Sequence, residues 1–171
     1  MWNKKKKIVY LLYCLTAKWL PESRHSVLAK KIRRYFARKI VVRLGKEVNV
    51  ERGARFDAGL SIGNNSGIGI NCELYGPITI GNDVMMGPEV VIYTQNHKHE
   101  TGDVFWKQGF EEKKPVIIGD NVWIGRRVMI MPGCTIGDNS VIAAGAVVTS
   151  SFENNVILGG VPAKVIGTIE E

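Results

Sequence analysis

Two histidines in the second half of the chain, His97 and His99, are the side chains best suited to acid–base chemistry. An unperturbed imidazole has a pKa of about 6.5, so its neutral form predominates at physiological pH and accepts a proton. The ordinary alternative for an isolated histidine is a solvated or structurally hydrogen-bonded side chain. A catalytic zinc site needs three protein ligands, which two histidines on one loop do not supply. The residues alone leave proton transfer or a structural role open, and they predict no metal site.

These histidines lie where a six-residue repeat is interrupted. Apolar side chains recur at every sixth position on both sides of the interruption: Val50, Phe56, Ile62, Ile68, Leu74, Ile80, Met86 and Ile92, then Ile118, Ile124, Ile130, Ile136, Ile142 and Val148. The step from Ile92 to Ile118 is 118 − 92 = 26 residues instead of six, so about 20 residues leave the repeat. Long insertions are usually functional or disordered. The aromatic residues Phe105, Trp106 and Phe110 favour a folded flap over about 94–115.

The repeat itself predicts the fold class. A second column of mostly small or β-branched side chains accompanies the first: Ala54, Ser66, Cys72, Ile78, Val84, Val90, Val122, Val128, Cys134, Ser140 and Ala146. Helical faces recur at 3.6 residues and strand faces at two, so neither a helix nor an ordinary hairpin sheet keeps a period of six. A hexapeptide repeat indicates an all-β, coil-by-coil parallel β-solenoid.

The chain divides by charge into a basic N-terminal segment, residues 1–46, and a repeat region, residues 47–169. Residues 1–46 hold 14 Lys or Arg and one acidic residue, Glu22, which gives +13. The formal net charge of +7 therefore leaves 7 − 13 = −6 for the remainder. The basic character belongs to the N-terminal segment and not to the solenoid.

The N-terminal segment is predicted to be largely helical. Over 26–44 one helical side carries Leu28, Ile32, Tyr35, Phe36, Ile40 and Val41, and the rest carries mostly Lys and Arg, Arg33 included. Ser26 is placed to cap the start of this helix and Gly45 its end. Two interpretations stay open: a helix packed on the solenoid with a solvated basic face, or attachment to an anionic membrane surface. Nucleic acid is disfavoured because no recognised binding motif accompanies the charge.

The remaining compositional features point to a reducing compartment. The apolar run from Ile8 to Ala17 follows four lysines but lacks a small-residue cleavage site and is too short to span a bilayer, which takes about 20 residues. Cys72 and Cys134 fall in the second column, so packed thiols are expected rather than a disulfide. We expect a cytoplasmic protein, with contact at the inner face of the membrane as an option.

Four features in order resemble the hexapeptide-repeat O-acetyltransferases. They are the repeat, the interruption carrying Asn96 and His97, the segment Ile118–Gly125, and the ending Gly159–Ile166. Within that superfamily the chain resembles the maltose and galactoside acetyltransferases, and more closely the bacterial polysaccharide O-acetyltransferases. The resemblance implies a left-handed parallel β-helix, a homotrimer with active sites in the clefts between neighbours, and acetyl-CoA as co-substrate.

The resemblance also assigns roles to positions of this sequence. His97 matches the catalytic general base of the family. The positions matched to acetyl-CoA are Trp123, Gly125, Ala144, Thr149 and Lys164, and Arg126 or Arg127 is a further cation for its phosphates. The residues expected to meet the acceptor are Asn96, His99, Phe105 and Trp106, with Asn71 as a substitute for an asparagine that this chain lacks. Two departures stand out: Ser150 and Ser151 follow Thr149 where many relatives have lysine next, and Gly69 stands where sugar acetyltransferases carry an asparagine, with Asn71 two residues later on the same face.

The function that this resemblance implies is transfer of an acetyl group to a sugar hydroxyl, in a surface polysaccharide or its precursor. An acceptor of another kind, such as an antibiotic or serine, is an alternative within the same chemistry. A non-enzymatic solenoid that only displays the basic helix is the alternative from a different class.

Overall fold

The chain folds into a β-solenoid of short strands preceded by two helices, as described by a computed structural model for residues 2–170. The helices are α1, Lys4–Leu15, and α2, Val27–Ile40. Short 3-10 turns lie at Ala17–Trp19 and Phe105–Lys107. The strands are β1 Arg43–Leu44, β2 Asn49–Val50, β3 Arg55–Phe56, β4 Leu60–Ile62, β5 Gly67–Ile68, β6 Glu73–Leu74, β7 Ile78–Ile80, β8 Met85–Met86, β9 Val91–Ile92, β10 Val116–Ile118, β11 Trp123–Ile124, β12 Met129–Ile130, β13 Thr135–Ile136, β14 Val141–Ile142, β15 Val147–Val148, β16 Val156–Gly160 and β17 Ala163–Thr168.

The strands stack into three faces. The first face is β1-β4-β7-β10-β13, the third is β3-β6-β9-β12-β15, and the second runs from β2 and β5 to β8-β11-β14-β16, with β17 at its end. The amide of Gly67 donates to the carbonyl of Val84 at 2.9 Å and joins β5 to β8. Consecutive strands of a face pair in parallel one coil apart, as in Ile62 with Ile80, except that β17 pairs antiparallel with β16. The predicted parallel β-solenoid is confirmed, with about six turns, and its hexapeptide repeats imply the left-handed form.

The core is built from the two predicted columns. All the column residues named from the sequence are buried. The edge that joins the first and second faces is closed by a polar ladder in which each coil caps the one before it. The amide of Asn64 donates to Asn82 Oδ1 at 2.8 Å, that of Asn82 to Asp120 Oδ1 at 2.7 Å, and that of Asp120 to Asp138 Oδ1 at 2.7 Å. These hydrogen bonds satisfy backbone donors that the turn leaves unpaired.

The glycine that often follows an inward residue is required by the distance between coils. A Cβ on Gly63 would lie 2.5 Å from the carbonyl carbon of Gly81 in the next coil. No side chain fits at that separation, so the Ile-Gly pairs of the sequence are a consequence of coil stacking.

The interruption of the repeat leaves the coil register intact. Val116 pairs with Ile78 and Ile118 pairs with Ile80, so the first strand after the excursion stacks directly on the coil before it. The excursion leaves the solenoid at the edge between the third and first faces.

The two helices pack on the first coil. The Tyr13 hydroxyl of α1 donates to the carbonyl of Ala54 at 2.9 Å, and its ring lies 5.2 Å from that of Phe56, centroid to centroid. Helix α2 starts as predicted, because Ser26 Oγ accepts a hydrogen bond from the amide of Ala29 at 3.1 Å. It ends at Ile40, earlier than the predicted 44, because Val42 already pairs with Leu60 and Arg43–Leu44 form β1.

The predicted sides of α2 were partly wrong. Leu28 and Tyr35 are exposed, whereas Arg33, assigned to the solvated basic face, is fully buried. The Arg33 guanidinium donates to the carbonyls of Val50 at 2.6 Å, Leu20 at 3.1 Å and Pro21 at 2.8 Å, and to Ser23 Oγ at 2.9 Å. These acceptors come from the turn before α2 and from the first coil, so periodicity within the helix does not reveal them.

An acidic partner completes the surroundings of Arg33. Glu51 Oε2 lies 3.6 Å from the guanidinium. Burial alone would raise the pKa of Glu51, but hydrogen bonds from Ser23, Asn49 and Arg52 hold it below its ordinary value. The carboxylate is therefore ionised opposite the buried cation, which joins α2 and the turn before it to the solenoid.

The cysteines agree with the prediction made from their place in the second column. Cys72 and Cys134 are free and buried, and burial raises the pKa of the Cys72 thiol to about 11. They are packed, unreactive thiols, as predicted.

Neither of the two helices within residues 2–170 has the length and apolar character that crossing a bilayer requires.

Candidate active site

The excursion between β9 and β10 begins as a short antiparallel hairpin. The amide of Lys114 donates to the carbonyl of Thr94 at 2.7 Å, that of Glu111 to Asn96 at 2.9 Å, and that of Lys98 to Gly109 at 3.1 Å. His97 and Phe110 form a bridge between the two strands of this hairpin. The backbone at His97 is therefore held on both sides.

The hairpin is anchored to the coil below it. Thr94 is buried, and its hydroxyl donates to the carbonyl of Tyr75 at 2.8 Å. A Cβ on Gly76, whose φ is +97°, would lie 1.9 Å from the Thr94 hydroxyl oxygen. Gly76 thus permits both the left-handed turn and the close approach of the hairpin root.

The distal part of the excursion is an ordered flap. Gln108 ties it together, because its side chain accepts from the amide of Glu100 at 2.8 Å and donates to the carbonyls of Glu100 at 2.9 Å and Asp103 at 2.7 Å. Phe105 and Trp106 begin the 3-10 turn at the tip and are 63% and 77% exposed. Both aromatic side chains are free to meet a ligand or another chain.

The His97 side chain is exposed and oriented by packing. Its ring lies 4.0 Å from that of Phe110, centroid to centroid, with the planes tilted by 34°. Within residues 2–170 the imidazole has no side-chain hydrogen-bond partner, and Glu100 does not supply one. His99 is 77% exposed at its side chain and lies 3.8 Å from Glu111. An imidazole with both nitrogens open is suited to accept a proton from a bound hydroxyl.

His97 borders a cavity of about 430 Å³ whose other polar and aromatic lining includes Asp57, Tyr75, Tyr93 and Lys113. The rings of Tyr75 and Tyr93 stack at 5.9 Å and 14°. Asp57 Oδ1 accepts a hydrogen bond from the amide of Gly59 at 3.0 Å, which fixes that carboxylate. The site combines an aromatic surface, a carboxylate and an imidazole.

The orientation of Tyr75 is fixed by a chain of polar contacts. Its hydroxyl donates to Glu73, and Glu73 lies 3.5 Å from Arg55. Burial, with this hydrogen bond to Glu73, raises the pKa of Tyr75 above its ordinary value. The phenol therefore remains a neutral donor.

Sequence reasoning missed Asp57, Tyr75, Tyr93 and Lys113. The first three carry a signal that could have found them, since they recur at the spacing of one coil and each follows an inward residue of the third face. Residues one coil apart stack at the same edge of a solenoid, which brings them beside the root of the hairpin.

The residues predicted to meet acetyl-CoA lie elsewhere on the chain. Trp123 is 52% exposed on the outer side of the second face, where it lines a cavity of about 320 Å³ with Met85 and Val141. Lys164 is exposed on β17, opposite Gly159, at the end of that face. Thr149 is exposed at the edge between the third and first faces, two coils beyond the root of the hairpin.

Gly125, Arg126 and Ala144 share the edge between the second and third faces. A Cβ on Gly125 would lie 2.6 Å from the Ala144 amide nitrogen, so coil stacking itself requires this glycine. Arg126 contacts Glu89 at 2.5 Å and Arg127 contacts the same carboxylate at 2.6 Å. Hydrogen bonds from Arg127 and Arg126 lower the pKa of Glu89. Both guanidinium groups are already paired, whereas Lys164 forms no ion pair among the described residues.

The predicted acceptor residues are also divided. Asn96 and His99 flank His97, and Phe105 and Trp106 lie on its flap. Asn71 does not join them, because it is a left-handed turn residue, with φ of 54°, at the edge between the second and third faces. His97 lies at the edge between the third and first faces, whereas Asn71 lies at another edge and Trp123 on the opposite face. Within one chain, Asn71 and Trp123 are therefore far from His97.

Two family models match the repeat region. One, described as bacterial transferase hexapeptide (six repeats), matches residues 115–150, and the other, described as hexapeptide repeat of succinyl-transferase, matches residues 59–93. The two matches lie on either side of the excursion.

Curated relatives match part of the chain. The galactoside O-acetyltransferase of Escherichia coli is 45% identical over 96 residues, which cover 55% of this chain and 45% of the relative. A putative lipopolysaccharide biosynthesis O-acetyltransferase of Escherichia coli is 29% identical over 143 residues, covering 66% of this chain and 73% of the relative. The chain spans about half the length of several curated relatives it matches.

Solved structures match almost the whole chain. A maltose O-acetyltransferase from Clostridium difficile superposes with a TM-score of 0.82 at 36% identity, covering 98% of this chain and 88% of that one. A hexapeptide-repeat acetyltransferase from Vibrio cholerae, complexed with acetyl coenzyme A, gives 0.81 at 26% identity, with 97% and 88% covered. Because the chain is 36% identical to the maltose O-acetyltransferase and covers 88% of it, and because two hexapeptide-repeat models match, the chain belongs to the hexapeptide-repeat acetyltransferase family.

Proposed function

We propose that the protein is an acetyl-CoA-dependent O-acetyltransferase that modifies a sugar hydroxyl, in a surface polysaccharide or its precursor, with His97 as general base. The observation that carries this proposal is the open imidazole of His97, held by the hairpin beside the tyrosine-lined cavity. The likeness to galactoside and maltose O-acetyltransferases supports a sugar hydroxyl as the acceptor. The likeness to a lipopolysaccharide biosynthesis enzyme supports a polysaccharide, or its precursor, as the molecule that carries this sugar.

The chemistry requires one proton to move. Acetyl-CoA supplies an acyl thioester when bound. The His97 imidazole accepts the proton of the acceptor hydroxyl as its oxygen bonds to the thioester carbonyl carbon. A backbone amide near the cleft stabilises the negative charge that develops on the carbonyl oxygen. As the carbon–sulfur bond breaks, His97 returns the proton to the departing CoA thiolate, which leaves the acetyl ester and free CoA.

The cavity beside His97 has the groups that a sugar ring needs. The stacked rings of Tyr75 and Tyr93 offer an apolar surface for the carbon–hydrogen face of a pyranose, and Asp57 accepts hydrogen bonds from its hydroxyls. Most of the lining is apolar with a few fixed polar groups, which is typical of small-molecule sites.

The residues matched to acetyl-CoA fit a long, thin ligand with phosphates. Ala144 is exposed, and a Cβ on the neighbouring Gly145 would meet no atom within 4 Å, so the backbone there is open to an extended arm. Lys164, which forms no ion pair within residues 2–170, is the cation for the phosphates, whereas Arg126 and Arg127 are engaged by Glu89.

The separation of these groups supports a site that is shared between copies of the chain. On one chain His97 lies at an edge of the coil and Trp123 on the opposite face, so both serve one site only if they come from neighbouring copies. We propose that three chains pack side by side, which makes the His97 edge of one copy face the Trp123 face of the next.

Two measurements on the full chain test the proposal. CoA release from acetyl-CoA is followed with a panel of mono- and oligosaccharides, and binding of acetyl-CoA is measured by calorimetry. We expect calorimetric binding in the micromolar to millimolar range and acceptor-dependent CoA release. Absence of acetyl-CoA binding would refute the proposal. Turnover on antibiotics or serine, with none on any glycan, would show that the acceptor is not a sugar.

Removal of one tyrosine ring tests the acceptor surface. We expect Tyr93→Ala to raise KM for a sugar acceptor about tenfold, because half of the stacked surface is lost. Tyr93→Phe keeps the ring and is the matched control, with KM close to that of the parent. KM for acetyl-CoA should stay unchanged in both variants. An equal rise in both KM values would contradict an acceptor-specific role for Tyr93.

A further inference from the structure

The outward face of α1 is apolar. Ile8, Leu11, Leu12 and Leu15 are 61%, 58%, 48% and 68% exposed, and their spacing places them on one side of the helix. We call these four residues the α1 stripe. Tyr13, on the opposite side, is fully buried against the first coil. The stripe therefore faces away from the solenoid.

Positive charge surrounds the N-terminal end of the stripe. Lys4, Lys5 and Lys7 are exposed, whereas Lys6 points inward and donates to the carbonyl of Val41 at 3.2 Å. Beyond the other end of α1, Trp19 is 57% exposed, and the ammonium of Lys18 lies 4.6 Å from its ring centroid. The apolar stripe thus has lysines at one end and an amphipathic aromatic residue at the other.

The positive charge of the N-terminal segment favours an anionic bilayer over a second copy of the chain as the surface that covers the stripe. Residues 1–46 carry +13, so a second copy docked stripe to stripe would bring two strongly positive segments together. An anionic bilayer satisfies both features, because acyl chains receive the apolar residues and headgroups pair with the lysines. Trp is favoured at the level of the headgroups.

We propose that α1 lies in the interfacial region of an anionic bilayer, with the α1 stripe inserted and Lys4, Lys5 and Lys7 on the lipid headgroups. The helix has 12 residues and is about 18 Å long, well short of the hydrocarbon thickness, so it lies along the surface. Apolar insertion and a basic cluster are the two signals that stable peripheral attachment needs.

In this arrangement α1 contacts the membrane, whereas the sequence pattern suggested contact through α2. Arg33, at the centre of the basic sequence of α2, is buried and bonded to the solenoid. The outward side of α2 still carries the cations Lys31, Arg38 and Lys39. These three residues therefore provide a charge-matched control on the neighbouring helix.

Vesicle flotation of the full chain tests this inference. The parent protein should float with vesicles of phosphatidylcholine and phosphatidylglycerol and much less with phosphatidylcholine alone. We expect the double variant Leu11→Gln and Leu15→Gln to partition at least about tenfold more weakly. The triple change of Lys4, Lys5 and Lys7 to Gln should cause a similar loss, and the triple change of Lys31, Arg38 and Lys39 to Gln a much smaller one.

Several results would overturn the inference. They are equal absence of flotation on both vesicle types, retained flotation of the leucine variant, or an equal loss from the two charge-matched triple variants. A changed oligomeric mass of the leucine variant without lipid would assign the stripe to a protein interface. Circular dichroism and thermal unfolding verify that each variant folds. Acetyl transfer to a free sugar is measured separately, so failure of either proposal is distinguishable from failure of the other.

Discussion

His97→Ala is expected to lower kcat for acetyl transfer by about 10²–10⁴-fold, the usual scale for loss of a general base. The imidazole is the group of the excursion that borders the tyrosine-lined cavity with both nitrogens open. Without it, water or a distant side chain must accept the hydroxyl proton, and the barrier to attack on the thioester rises. The measurement is steady-state CoA release at saturating acetyl-CoA and acceptor.

A matched variant separates catalysis from structure. His99→Ala removes the neighbouring imidazole, which is 77% exposed and lies outside the cavity lining, so we expect it to keep most of the parent activity. Binding of acetyl-CoA should survive in both variants, because neither histidine holds the cofactor in the proposed arrangement. Turnover near the parent value in His97→Ala, with a large loss in His99→Ala, would move the base to His99.

Arg33→Met is expected to cost about 3 kcal/mol of unfolding free energy and to lower the melting temperature. The substitution keeps an apolar stem of similar length but removes the donors on which the carbonyls of Leu20, Pro21 and Val50 depend. It also leaves the Glu51 carboxylate without its buried cation. Thermal and urea unfolding, followed by circular dichroism, measure the loss.

An exposed arginine of the same helix is the control. Arg38→Met removes the same charge from the solvent side of α2, so its effect should stay within about 0.5 kcal/mol. Equal stability losses for the two variants would show that helix charge, and not the buried guanidinium, holds α2 to the solenoid.

Much of the solenoid and one part of the site could be predicted from residue spacing. The two columns, the glycines after them and the length of the excursion follow from a pattern that each coil repeats, so local spacing reports them. Tyr75 and Tyr93 recur at the spacing of one coil. That spacing does not by itself predict a binding site, because the position of a residue outside the columns is known only once the edges of the coil are defined. Arg33 was assigned to the wrong side because its partners lie in other elements.

The amino-acid sequence determined a β-solenoid with one interruption and two histidines, since strand stacking at a six-residue period leaves no other way to bury those columns. The tertiary structure decided which groups meet. Closing the coil into three faces brings Asp57, Tyr75 and Tyr93 to the root of the excursion and sends Trp123 to the opposite face. Packing of the helices on the first coil buries Arg33 and leaves the α1 stripe in solvent. These outcomes depend on contacts between distant segments, which periodicity along the chain does not encode.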